Sequence, residues 1–125
     1  MSAIHPAFLG FAEEFRTPGS PTIAPDRFAS AMHLQVQDLA QLAGVHRATI
    51  SDSPGNARLQ GYLRESLRVL SAALGVTGDH DRAAYWFRNV PIPEFRHRTA
   101  AELVSKGHTD AVLDYLASID SGSTG

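Results

Sequence analysis

Val36-Gln-Asp-Leu-Ala-Gln-Leu-Ala-Gly-Val-His-Arg-Ala-Thr-Ile-Ser-Asp52 is the stretch whose reading decides the fold. Val36, Leu39, Ala40 and Ala43 recur at helical spacing, so one face of a first helix is apolar. Gly44 stops that helix, because a residue without a Cβ takes the left-handed backbone of a sharp turn without steric cost. Val45 anchors the corner, and small Ala40 lets a second helix approach the first. In that second helix Ile50 packs inward while His46, Arg47, Thr49 and Ser51 face outward. The pattern is a helix-turn-helix, whose second helix can lie in the major groove with its N-terminal side chains at base edges.

The DNA-contacting candidates are therefore His46, Arg47, Thr49 and Ser51, with Arg58 beside them. Arg47 is the chief reader of base or phosphate, and Thr49, Ser51, Gln35 and Gln37 can donate to phosphates. The competing reading is two short helices with a glycine turn that merely pack a helical domain. A lone arginine on the reading helix is meagre against an affinity dominated by phosphate contacts, and Asp52 repels a duplex. A symmetric dimer presenting two such helices, flanked by Arg58 and Arg64, would restore the balance.

Helical signals continue on both sides. Upstream, Phe8, Phe11, Ala12 and Phe15 make an aromatic face, and Thr17-Pro18-Gly19-Ser20-Pro21-Thr22 breaks it and reads as a linker. Phe28, Ala31 and Met32 form a short stripe after Pro25-Asp26. Downstream, Leu59, Leu63, Leu67, Leu70 and Leu74 run at spacings of four and three, with an expected end at Gly75. Asp79 is placed to cap a helix through Tyr85-Trp86-Phe87. Thr99-Ala-Ala-Glu102 has the spacing of a capping box, with Gly107 closing that helix. Thr109 is the expected cap of a last helix faced by Val112, Leu116 and Ile119. Nowhere do β-branched and polar residues alternate over strand length, so the fold class is all-α.

The chain has 125 residues and a mass of 13.5 kDa, enough for one compact domain or two small helical subdomains sharing a core. It has no cysteine, which excludes disulfides, thiolate catalysis and Cys-based metal sites. The formal net charge of −2 advertises neither nucleic acid nor membrane, but its distribution is uneven. Arg47, Arg58, Arg64 and Arg68 against Asp52 and Glu65 make residues 44–78 the only basic third. Neither a signal peptide nor a membrane span is visible, and the expected location is the cytoplasm.

The order of the C-terminal part is distinctive. Trp86-Phe87-Arg88-Asn89 ends one helix, a loop with Pro91 and Pro93 follows, then the capped Glu102-Leu103-Val104 helix, Gly107, and a closing helix with Val112, Leu116, Ile119 and Gly122. This order resembles the Xre/MbcA/ParS toxin-binding family, antitoxins whose toxin is a RES-domain protein, and the upstream helix-turn-helix resembles their Xre-type portion. The match spans roughly residues 26–122.

The resemblance implies a partner that destroys NAD⁺, an antitoxin C-terminal region that plugs its entrance, promoter binding, and a homodimer formed through the helix-turn-helix region. It implies toxin contacts at Asp120, Ser121, Gly122, Ser123, Thr124 and Gly125, while Trp86 and Asn89 hold the first helix and loop of the domain together. The residues themselves add Arg96, His97 and Arg98 on a loop suited to an acidic partner, and acidic Asp110, Asp114 and Asp120 on the closing helix; Arg96, Arg98 and Asp114 are taken as toxin-contacting candidates. Two departures from the family stand out: Ala100 replaces a common Pro, and Phe95-Arg96-His97-Arg98 occupies a loop that usually holds Gly.

The expected organisation is an N-terminal helix and linker over 1–24, a helix-turn-helix and dimerisation region over 25–78, and a toxin-binding domain over 79–125. No catalytic motif emerges. His5, His33, His46, His80, His97 and His108 lack i, i+4 pairing, and Asp79-His80-Asp81 reads as a capped helix start. Gly75-Val76-Thr77-Gly78 has no following Lys and reads as an inter-helix turn. The expectation is an antitoxin without enzymatic activity, cofactor or metal. The alternative is a stand-alone helix-turn-helix transcriptional regulator.

Overall fold

The computed structural model describes residues 13–120. Among them lie seven named α-helices, one short 3₁₀ turn and no strand, only two isolated bridges. In chain order the helices are α1 (Pro25–Met32), α2 (Val36–Ala43), α3 (Arg47–Asp52), α4 (Ala57–Thr77), α5 (His80–Asn89), α6 (Ala100–Ser105) and α7 (Thr109–Asp120). The all-α fold class holds.

The axis of the fold is α4, about 30 Å long at the ordinary helical rise. Its leucine stripe explains why: Leu59, Leu63, Leu67 and Leu70 are all buried, together with Val69 and Ala73 on an adjoining strip. The α2 helix packs on it, and so do α5, α6 and α7 from the later part of the chain. One core therefore serves both halves, with Phe28, Leu39, Ile50, Phe87, Ile92 and Val112 joined to the α4 leucines.

Several expectations are corrected. Gly75 does not end the long helix; α4 runs through it to Thr77 and is capped by Gly78 at φ 74°. The intrahelical hydrogen bonds and the packing of this end against α5 outweigh the roughly 1 kcal/mol that an interior glycine costs. Thr109 is not a cap but the first residue of α7, and it is buried. Val36 and Ile119 carry the helical period but lie at helix ends beyond the reach of the core, and both are exposed.

The proline-rich linker after Arg16 folds back on itself. Arg16 and Ile23 form an antiparallel bridge, the Thr17 N–H donates to the Thr22 carbonyl at 2.8 Å, and Thr22 Oγ1 meets both Ser20 and Thr17 hydroxyls. This turn seats Phe15, which is 2% exposed, edge-on against Phe28 at 5.9 Å. Phe8, Phe11 and Ala12 lie outside the described residues.

Candidate functional site

The helix-turn-helix corner is built as its residues dictate. Gly44 takes φ 71°, and its N–H donates back to the Gln41 carbonyl, closing α2. Val45 is half-buried with its N–H on the Ala40 carbonyl, and three residues separate α2 from α3. Ile50 is 6% exposed and locks α3 onto the core. Arg47, the first residue of α3, is exposed, and so is Ser51.

The other candidates carry local duties. His46 is the N-cap of α3: its Nδ1 accepts from the Ala48 N–H at 3.1 Å. Ser51 Oγ turns back to the Ala48 carbonyl and to Asp52, both at 3.3 Å. Thr49 is half-buried. Arg58, from the start of α4, lies over the corner with Nη1 3.5 Å from the Gly44 carbonyl, so one cation flanks the turn itself. Arg64 stands six residues further on, about 120° around the helix from Arg58, and shares a side with Arg68. Arg68 pairs with Glu65 at 3.1 Å and reaches Asp110 of α7 at 4.0 Å. The basic character of residues 44–78 is thus split between two faces, and only Arg47 and Arg58 stand by the corner.

One structural residue was missed by pattern reading. Gln60 is 5% exposed and makes three hydrogen bonds: its Oε1 accepts from the Ile23 N–H at 2.9 Å, and its Nε2 donates to the Ile23 and Pro54 carbonyls, each at 2.8 Å. It ties the entering chain and the loop after α3 to α4. Its signal was present: Gln60 precedes Leu63 and Leu67 by three and seven positions, a polar group on the apolar side.

In the C-terminal part, Asp79 Oδ2 accepts from the Arg82 N–H at 2.9 Å, capping α5. Thr99 and Glu102 form the reciprocal capping box at 3.2 and 2.9 Å. Ala100 is the first residue of α6, a position that a proline would also fit. Trp86 is half-buried against the core, and Asn89 Nδ2 donates to the Tyr85 carbonyl within its own helix.

Between α5 and α6 the chain makes a 3₁₀ turn, Pro93–Phe95, and then two successive non-glycine residues in the left-handed region, Arg96 at φ 59° and His97 at φ 62°. They perform the chain reversal without a glycine. Ile92 and Arg98 pair across the base of this loop, with the Ile92 N–H on the Arg98 carbonyl at 2.9 Å. Phe95 meets the Tyr115 ring edge-on at 6.0 Å. Burial, reinforced by the Glu94 carboxylate, pushes the Tyr115 hydroxyl pKa up.

The two halves also meet directly. Ser105 Oγ of α6 donates to the Leu42 carbonyl of α2 at 2.6 Å, beside a cleft of about 430 Å³ that Asp38, Gln41, Arg88 and Lys106 help to line. Asp114 is exposed on α7, and Asp120 is the last described residue. Ser121, Gly122, Ser123, Thr124 and Gly125 lie outside the described residues. Among the described residues no cluster of three metal-ligating side chains occurs, and no helix is long and apolar enough to cross a membrane.

Fold and surfaces together define a class: a helix-turn-helix protein joined through one shared helix to a small helical domain. Residues 12–73 match the antitoxin Xre-like helix-turn-helix domain, and residues 72–122 match the antitoxin Xre/MbcA/ParS C-terminal toxin-binding domain. The chain belongs to the Xre/MbcA/ParS antitoxin family. No curated protein and no solved structure matches it. Its two domains are those of the antitoxin of a toxin–antitoxin system, and they point to a non-catalytic regulatory protein with toxin and DNA as partners.

Proposed function

We propose that this chain neutralises a RES-domain, NAD⁺-degrading toxin by blocking the entrance to its active site, and that as a cytoplasmic homodimer it represses its own operon. The carrying observation is the match of residues 72–122 to a toxin-binding domain whose last helix outruns the core. Leu116 is the last buried residue of α7; Ile119 is 39% exposed and Asp120 follows it, so an apolar and an acidic group stand at the base of the tail. In this reading residues 79–125 bind toxin through Arg96, Arg98, Asp114, Asp120 and the tail Ser121, Gly122, Ser123, Thr124 and Gly125. Occlusion needs shape and lifetime rather than a reacting group. The apolar contacts supply the lifetime, and the charges orient the encounter.

Residues 25–78 form the DNA-binding and dimerising part. His46, Arg47, Thr49, Ser51 and Arg58 are the DNA-contacting set, with Arg47 the main contributor and His46 acting chiefly through the helix it caps. Two copies related by a twofold axis would double the two cations at each corner, which phosphate-dominated binding requires.

The test is co-purification with the product of the adjacent reading frame, followed by an NAD⁺ depletion assay. Deleting residues 120–125 should weaken protection while leaving the thermal melt unchanged, and full protection by the truncated chain would remove the plug. The complete corner and exposed Arg47 also favour a second reading, a stand-alone transcriptional regulator. Arg47→Ala separates the two: a pure regulator loses all function with this change, whereas an antitoxin keeps its protection and loses only promoter binding.

A further inference from the structure

A notch of about 260 Å³ lies between the loop that follows α5 and the α6–α7 junction. Phe95, Leu103 and Ala111 supply its apolar part, Arg96, Arg98 and His108 its cationic part, and Glu94 is its one acid. Among the described residues neither Arg96 nor Arg98 forms an ion pair or a side-chain hydrogen bond, although Arg16 and Arg68 each find a carboxylate.

The loop backbone that carries these two arginines is held at a conformational cost. Two consecutive left-handed non-glycine residues are each unfavourable, and they persist because the surroundings pin them. The Arg96 N–H donates to the Pro93 carbonyl at 3.2 Å, the His97 N–H to Ile92 at 3.0 Å and the Arg98 N–H to Phe95 at 3.2 Å. Packing of Phe95 against Tyr115 braces the same turn from α7. The pinned backbone fixes where both side chains leave the loop, and among the described residues their unpaired guanidinium groups have no intramolecular carboxylate to give up on binding.

We propose that this notch receives a glutamate side chain of the toxin: the carboxylate on the Arg96 and Arg98 guanidiniums, the methylenes against Phe95, Leu103 and Ala111. The apolar lining selects a carboxylate on a hydrocarbon stem over a bare phosphate, and the planar guanidinium fork suits two carboxylate oxygens. This inference rests on the toxin-binding reading above and adds the chemical group that the C-terminal domain captures.

The test is the dissociation rate of the complex between the full chain and the co-purified toxin. Arg96→Gln with Arg98→Gln should speed dissociation roughly 30-fold, the scale of truncating one side of a desolvated charge pair. Arg96→Lys with Arg98→Lys keeps the charges and should recover most of that loss, which a misfolded loop would not do. One Glu→Gln change on the toxin should reproduce the effect and show no further loss with the glutamine pair. Dissociation within twofold of the unmodified chain would overturn the notch while leaving toxin binding intact. A loss reproduced only by truncating the toxin's C-terminus would overturn the glutamate assignment in favour of a chain-end carboxylate. If the unmodified chain forms no complex at all, the toxin-binding reading fails first.

Discussion

Gln60→Leu is the sharpest perturbation the fold offers. Leucine nearly matches glutamine in volume, so the α4 packing is kept and the change isolates three hydrogen bonds. The Ile23 N–H and carbonyl are buried and lose their only side-chain partner, whereas the Pro54 carbonyl, on an exposed residue, can turn to water. Two buried unsatisfied backbone groups cost about 2–4 kcal/mol, and the added apolar surface of leucine returns about 1 kcal/mol. The net loss of about 1–3 kcal/mol should lower the melting temperature by about 4–12 °C for a chain of this size. Calorimetry or thermal circular dichroism reads it directly. A melting temperature within about 2 °C of the unmodified protein would refute the view that Gln60 holds the entering chain in place. Gln60→Glu sharpens the test, because its carboxylate would face two carbonyl oxygens. Its folded-state pKa would be raised, so the variant should be weakest at neutral pH and regain stability as the pH falls toward the ordinary glutamate value of about 4.3.

Two further outcomes follow from the same geometry. Gly44→Ala forces a Cβ into φ 71°, while the nearest atom, Arg58 Nε, would stand at an ordinary 3.6 Å; strain rather than collision sets the cost at about 1–2 kcal/mol, and an unchanged melt would contradict the left-handed corner. Tyr62 is 6% exposed with its hydroxyl 3.3 Å from the Ala101 carbonyl, and burial drives its pKa well above 10.0. The fold favours the neutral phenol, so stability is complete below the unfolded pKa and declines as the pH rises past it; Tyr62→Phe should flatten that alkaline decline in a pH series of melts.

Much of the fold was legible because it rests on local chemistry. The Thr99–Glu102 capping box, the Asp79 cap, the Gly44 corner and the α4 leucines lie where their spacing places them. Gly75 misled because a single glycine signals a helix end only when packing does not hold the helix together beyond it. The conformation of the proline-rich linker after Arg16 was not legible for a related reason: proline and glycine end a helix, but how the next residues fold back depends on distant partners, here Gln60 and Phe28.

For the candidate surfaces the division is sharper. Arg47 was legible as the one cation of the second helix, and its exposure comes from its place at the first position of α3, since it lies within about 60° of the buried Ile50 around the helix. The separation of Arg58 from Arg64 and Arg68, the pairing of Arg68 with Glu65, and the gathering of Arg96, Arg98 and His108 around one notch are facts of three dimensions. Residue order by itself determined which segments are helical, the Asp79 and Thr99–Glu102 caps and the family, since these depend on neighbours within four positions or on a chain-long pattern. Tertiary structure alone decided which charges share a surface and which polar groups are buried, because both depend on side chains brought together from distant points of the chain, as when Ser105 meets the carbonyl of Leu42.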